Sequence, residues 1–217
     1  FILDYYLALA KLNRQDADTY IYFDRFLANY KGAFFIKDAY VRLAWFYLLQ
    51  GKVDKYHQNI ALATAMGDEL CEKDKQAQAD AENPAIPNLF LLAARVSYDG
   101  GYYDKALNYL KDKKVESFSN QPDRIEFLYR LGRIYQEQKR YDAAIQNYAS
   151  VISQGMNSKV YYVPNSALQL GVIFEERKNY TKARDYYNLC LSMKGHQYKN
   201  SLDSKAKAGL LRIEVKS

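Results

Sequence analysis

Residues Leu131 to Tyr148 read LGRIYQEQKRYDAAIQNY, and residues Leu170 to Tyr187 read LGVIFEERKNYTKARDYY. The two stretches have the same length and align without gaps, so they are copies of one structural unit. In each copy a Leu-Gly pair is followed by an aromatic residue, a polar turn and an alanine at helical spacing. This pattern predicts two helices joined by a short turn and repeated along the chain.

Two earlier copies are weaker. They read AARVSYDGGYYDKALNYL from Ala93 and LAWFYLLQGKVDKYHQNI from Leu43. Between them lies the insertion GDELCEKDKQAQADAENP, whose charges alternate with alanines, which favours a solvated spacer helix that buries little. A still earlier stretch has helical periodicity but lacks the glycine-aromatic turn. It is interpreted as a further helix pair.

Small residues beside large ones explain why the copies pack. Gly132 lets two helices approach closely, and the aromatic Tyr135 is expected to fill the space beside it. Tyr148 and Tyr187, on the second helices, are expected to reach toward the next repeat. Many of the 22 tyrosines therefore have a predicted packing role.

The four copies resemble the tetratricopeptide repeat. The resemblance implies an all-α fold, a right-handed superhelical solenoid of antiparallel helix pairs that forms a single domain over residues 1–217. The helix pairs are expected at about 2–30, 36–65, 86–114, 122–154 and 163–193, with the spacer helix at about 68–82 and a C-terminal capping helix at about 200–214.

Composition and charge restrict the other classes of protein that this chain could belong to. The net charge is +6 and the pI about 9.0, but the lysines are scattered, which is typical of solvation. No apolar run has the roughly 18 residues that a transmembrane helix needs. The chain starts at Phe1 with no visible signal peptide, which indicates a fragment whose preceding residues are unknown. Abundant Tyr, Lys and Asn are typical of a bacterial protein. The protein is expected to be soluble, and its compartment, bacterial cytoplasm or periplasm, is left open.

Residues for catalysis are not recognisable. The two histidines, His57 and His196, have no metal-binding spacing, and the two cysteines lack a paired motif. The adjacent carboxylates Glu175 and Glu176 diverge by about 100° on a helix and cannot act on one substrate as a glycosidase pair would. The sequence predicts no catalytic residue, no metal site, no cofactor and no enzymatic activity.

The resemblance also implies a binding surface, because the first helices of successive pairs line a concave groove in this family. The candidate peptide-binding residues on those helices are Arg42, Trp45, Arg95, Tyr129, Arg130, Arg133 and Asn165. Arginine suits carboxylates because its planar fork donates two parallel hydrogen bonds. The expected partner is a protein or peptide of acidic character. Two alternatives remain open: Arg42, Arg95 and Arg133 pair with acids four residues away on their own helices, and Trp45 is a core residue.

Two rival functions follow from the same sequence. Positive charge and abundant tyrosine are features of RNA-binding surfaces, although the tyrosines occupy packing positions. The chain is also interpretable as a structural subunit that pairs with other chains through its outer or terminal faces. Protein-interaction scaffolding is the favoured function, and nucleic-acid binding is disfavoured.

Overall fold

A computed structural model describes residues 1–156, 158, 160–196 and 198–215. Within these ranges the secondary structure is entirely helical, which confirms the all-α fold class built from consecutive helix pairs. The α-helices are α1 (Ile2–Arg14), α2 (Thr19–Asn29), α3 (Ile36–Leu49), α4 (Val53–Ala65), α5 (Glu72–Glu82), α6 (Leu89–Asp99), α7 (Tyr103–Leu110), α8 (Gln121–Glu137), α9 (Tyr141–Gly155), α10 (Tyr162–Glu176), α11 (Tyr180–Ser192) and α12 (Lys199–Glu214). The chain divides into two compact units, unit 1 (Phe1–Tyr109) and unit 2 (Leu110–Ser217).

Unit 2 contains the two dense copies of the repeat. Helix α8 pairs with α9, α10 pairs with α11, and α10 also packs against α9 and α8. Helix α12 lies against both α10 and α11. The first helices α8 and α10 therefore adjoin each other, and α12 continues the row on the far side of α10.

Glycines on the first helices receive tyrosine rings from the second helices. A Cβ placed on Gly132 would lie 2.7 Å from the Tyr148 ring, and one on Gly171 would lie 2.5 Å from the Tyr187 ring. Both rings are fully buried. This corrects the expectation that Tyr135 fills the space beside the glycine. The tyrosine on the partner helix fills it, because a ring that crosses between helices reaches the gap left by the missing side chain.

Helix α12 also packs a glycine against a tyrosine ring. A Cβ on Gly209 would lie 2.4 Å from the Tyr187 ring, so this ring is enclosed by Gly171 of its own pair and Gly209 of α12. Gly209 follows Gly171 by 38 residues, nearly the 39 residues that separate Gly171 from Gly132. Helix α12 therefore packs as another first helix of the repeat.

The turns inside the pairs share one backbone conformation. At the same repeat position, Gly51 has φ +73° and Gly101 has φ +79°, while Lys139 has φ +58° and Lys178 has φ +59°. Left-handed backbone is strained for residues with a side chain but not for glycine. The later copies therefore keep the turn geometry at a cost in stability.

Unit 1 is arranged less regularly. Helix α1 pairs with α2 and α3 with α4, but α5 packs on both α3 and α4, and α6 packs on α1 and α3. The insertion helix thus lies against the α3–α4 pair. Helix α6 contacts α1, which is distant from it in sequence.

Helix α5 buries one face, contrary to the expectation of a solvated spacer. Ala77 is buried, and the Asp74 side chain is fully enclosed. Asp74 accepts hydrogen bonds from the backbone N–H groups of Phe35 at 2.7 Å and Asp38 at 3.2 Å. Its carboxylate therefore satisfies backbone donors at the start of α3, where the helix dipole favours negative charge.

Candidate functional site

Three of the predicted residues come together in unit 1, where α3 adjoins α6. The guanidinium carbons of Arg42 and Arg95 each lie 4.3 Å from the Trp45 ring centroid. Both guanidinium groups therefore contact the same indole ring. Trp45 itself is 2% exposed, and the parts of this cluster that reach solvent are the two partly exposed arginines.

A buried acid fixes the position of Arg42. Its Nε donates to Asp38 Oδ1 at 3.1 Å, and the side chain of Asp38 is 3% exposed. This confirms one of the pairings along the same helix that the sequence left open. Asp38 also accepts a hydrogen bond from the Tyr5 hydroxyl at 2.7 Å. Burial, followed by the charge of Asp38, raises the pKa of Tyr5 far above its usual range, so this phenol stays protonated and donates.

The cluster in unit 2 centres on the Tyr129 hydroxyl. This oxygen accepts a hydrogen bond from Arg133 Nη1 at 2.9 Å and another from Asn165 Nδ2 at 2.8 Å. Arg133 lies on α8 and Asn165 on α10, so the hydroxyl joins the two first helices. The Tyr129 ring is 1% exposed, which leaves Arg133 and Asn165, both partly exposed, as the groups at the surface.

Amide side chains extend this cluster along the two helices. The Tyr148 hydroxyl donates to Gln136 Oε1 at 2.7 Å, and Gln136 Nε2 donates to Gln169 Oε1 at 3.0 Å. Gln169 Nε2 in turn donates to Asn165 Oδ1 at 3.1 Å. Hydrogen bonds in such a chain strengthen one another and fix the orientation of each amide. Asn165 is therefore held in one orientation before any ligand arrives.

Arg130 lies deeper than the sequence implied. It is 5% exposed, and its Nε and Nη2 both donate to Glu126 Oε1, at 3.0 and 2.8 Å. Its guanidinium also lies 5.7 Å from the Tyr162 ring centroid. Arg130 thus contributes to the packing and local charge of α8 and presents almost no surface for direct contact.

The sequence reasoning missed an aromatic group at the start of α10. Tyr162 lies 4.8 Å from Tyr129 and 4.4 Å from Tyr161, measured between ring centroids, and Tyr161 lies 5.2 Å from Tyr198. All three of these newly found tyrosines are partly exposed. The adjacent pair Tyr161-Tyr162, in the first turn of a first helix, was the available signal.

Both clusters are built from guanidinium groups on aromatic rings, and the unit 2 cluster adds hydrogen bonds to a phenol. In the ranges that the structure describes, no three His, Cys, Asp or Glu side chains are grouped so that they could hold a metal ion. No helix in the same ranges is both long enough and apolar enough to span a bilayer.

The repeated helix pairs and the polar face of their first helices define a helical-repeat protein, a class of fold that is typically a non-catalytic scaffold. Residues 123–195, which cover most of α8 and all of α9 to α11, match the sequence model of the tetratricopeptide repeat. This match assigns residues 123–195 to the tetratricopeptide repeat. Such repeats generally mediate interactions between proteins. A search of curated proteins finds no relative of this chain.

Proposed function

We propose that this chain is a non-catalytic scaffold that binds an acidic peptide or protein segment on the first helices of its repeats. In unit 1 the binding groups are Arg42 and Arg95, with Trp45 as their support. In unit 2 they are Arg133 and Asn165, with Tyr129 and Arg130 beneath them. Each set forms a contact region within its own unit.

The observation that supports this proposal most directly is the fixed placement of the arginines. Arg42 and Arg95 are stacked on one buried indole, and Arg133 is bonded to a buried phenol. Arg42 already pairs with Asp38 through Nε and Nη2. Arg95 therefore carries the contact proposed for unit 1, because the planar fork of a stacked guanidinium matches the two oxygens of a carboxylate. Because these side chains are already ordered, binding costs less conformational entropy than it would with mobile surface lysines.

Nucleic-acid binding has less support from the same contacts. Stacking of bases needs exposed rings, whereas Tyr129, Tyr148 and Tyr187 are buried between helices. The partly exposed tyrosines at the start of α10, Tyr161 and Tyr162, pack their rings against each other. Protein remains the partner class that the geometry favours.

The sole tryptophan provides a direct test, because Trp45 lies at the centre of the unit 1 cluster. Titration with a glutamate-rich peptide of twelve residues should change Trp45 fluorescence, and Arg95→Glu should abolish that change. In unit 2, Arg133→Glu should weaken binding, read by ¹H–¹⁵N NMR shifts of α8 and α10. Arg184→Glu on α11 makes the same charge change on a second helix and serves as the matched control.

Three results would separate the alternatives. Equal affinity in wild type, Arg95→Glu and Arg133→Glu would refute the proposal. Equal loss in the Arg184→Glu control would show that net charge alone drives the association. Tighter binding of single-stranded RNA than of the acidic peptide, with a steep decline as salt rises, would establish nucleic acid as the ligand instead.

A further inference from the structure

Unit 2 has a concavity beside α10 that the proposed acidic contacts do not use. Its lining residues are Val172, Glu175, Glu176, Lys178, Tyr180 and Arg212. Val172 occupies the position in α10 that Arg133 occupies in α8, since each follows the glycine of its repeat. Both side chains are partly exposed. At the position after the repeat glycine, α8 therefore carries an arginine and the neighbouring first helix α10 carries a valine.

An ion pair neutralises Arg212, one of the two positively charged residues that line this concavity. Arg212 Nε donates to Glu175 Oε1 at 3.0 Å, and Arg212 Nη2 donates to Glu175 Oε2 at 2.8 Å. The Tyr187 hydroxyl donates to the same carboxylate at 2.7 Å. This arrangement fixes one wall of the concavity and leaves the guanidinium little to gain from a second acid. The remaining charges, Glu176 and Lys178, are opposite in sign.

A neutral aliphatic side chain is the group that such a site accepts best. It gains contact with Val172 and the Tyr180 ring, and it places no charge beside the Glu175–Arg212 pair. An acidic side chain is better placed at α8, where Arg133 contributes positive charge at the surface.

The distance between the two sites sets a spacing in the ligand. Packed helices lie about 8–10 Å apart, and α8 packs directly against α10. An extended chain of the polyproline II type advances about 3.1 Å per residue with about three residues per turn, so a side chain three positions along lies on the same face and covers the step from Arg133 to Val172.

We propose that the segment bound by unit 2 is extended and carries an acidic residue on Arg133 and an aliphatic residue about three positions away on Val172. This inference rests on the proposed function and adds the register and the second chemical requirement. Val172 then acts as a specificity-determining residue.

The test uses the full chain and synthetic peptides of twelve residues made of Ser and Gly with one Glu and one Leu. The Leu is moved from one to six positions away from the Glu, in both chain directions. Dissociation constants come from ¹H–¹⁵N NMR titration, which measures weak binding. We expect affinity to peak at a separation of about three in one direction, about tenfold above the peptide without Leu.

Substitutions at Val172 test whether the concavity causes this gain in affinity. Val172→Asn should remove the tenfold gain but keep the affinity of the peptide without Leu, and Val172→Ile should retain the gain. Val53→Asn changes an exposed valine in unit 1 and serves as the matched control, expected to have no effect.

The outcomes distinguish this inference from the proposed function. If affinity needs Glu and Arg133 but does not depend on the position of Leu, the inference is wrong and the proposed function stands. A gain that survives Val172→Asn overturns the inference in the same way. If neither Glu nor Arg133 matters for any peptide, the proposed acidic contact fails as well.

Discussion

Replacing Gly171 by alanine tests the packing on which the repeat depends. Gly171 lies inside α10, where alanine would normally stabilise a helix by about 1 kcal/mol. The added Cβ would lie 2.5 Å from the Tyr187 ring, too close for any real contact. One substitution thus sets local helix propensity against tertiary packing.

The ring has little freedom to move away from a new methyl group. On its other side Gly209 approaches so closely that a Cβ there would lie 2.4 Å from the ring, and the hydroxyl is held by Glu175 at 2.7 Å. Overpacking of this kind costs about 1–3 kcal/mol, and a clamped ring belongs at the upper end. After the gain in propensity is subtracted, we expect Gly171→Ala to lower the free energy of unfolding by about 2 kcal/mol.

Urea denaturation followed by far-ultraviolet circular dichroism measures this loss. The control is a double-mutant cycle with Tyr187→Leu, in which the methyl group of Gly171→Ala no longer meets the ring. In that background the alanine should be neutral or stabilising, with a coupling of about 2 kcal/mol between the two positions. A single Gly171→Ala variant that is more stable than wild type would refute the packing argument.

Three further predictions follow from individual side chains. Lys178→Gly should raise the free energy of unfolding by about 1 kcal/mol, because it relieves the left-handed backbone; an unchanged urea midpoint would contradict this. Asp74→Asn should destabilise unit 1 by about 2 kcal/mol, because an amide replaces a buried carboxylate that accepts two backbone N–H bonds; unfolding followed by Trp45 fluorescence measures it. Burial raises the pKa of Cys190 from 9.0 to about 11, so the folded chain holds the thiol proton more tightly than the unfolded chain. Its contribution to stability is complete below pH 9 and is lost as the pH rises to about 11, and the stability difference between wild type and Cys190→Ala should narrow over that range.

The fold class was predictable from the sequence because the repeat is a local pattern. Leu-Gly, a polar turn and an alanine at fixed spacing predict helix, turn and helix without any knowledge of distant contacts. The identity of the residue that fills the space beside Gly132 was not predictable in this way. Tyr135 and Tyr148 are both aromatic and both at helical spacing, and only the packing of α9 on α8 selects Tyr148.

The sequence predicted which residues form the candidate site, but it did not predict how those residues are arranged in space. The repeat alignment placed Arg42, Arg95 and Trp45 on first helices, but their stacking requires α6 to lie beside α3. The insertion between α3 and α6 contains α5, whose alternating charges and alanines gave no sign that Asp74 would be buried. A charge pattern describes one helix, whereas burial depends on what packs against it.

The sequence by itself determined that this chain forms helix pairs and which residues are small enough to permit close packing. Those properties follow from helix geometry and side-chain size, which act over a few residues. Tertiary structure alone decided that the Tyr187 ring fits between Gly171 and Gly209, that Glu175 neutralises Arg212, and that Asn165 is joined to Arg133 through Tyr129. Each of these depends on distances between helices, and such distances are fixed only when all the side chains between them are packed together.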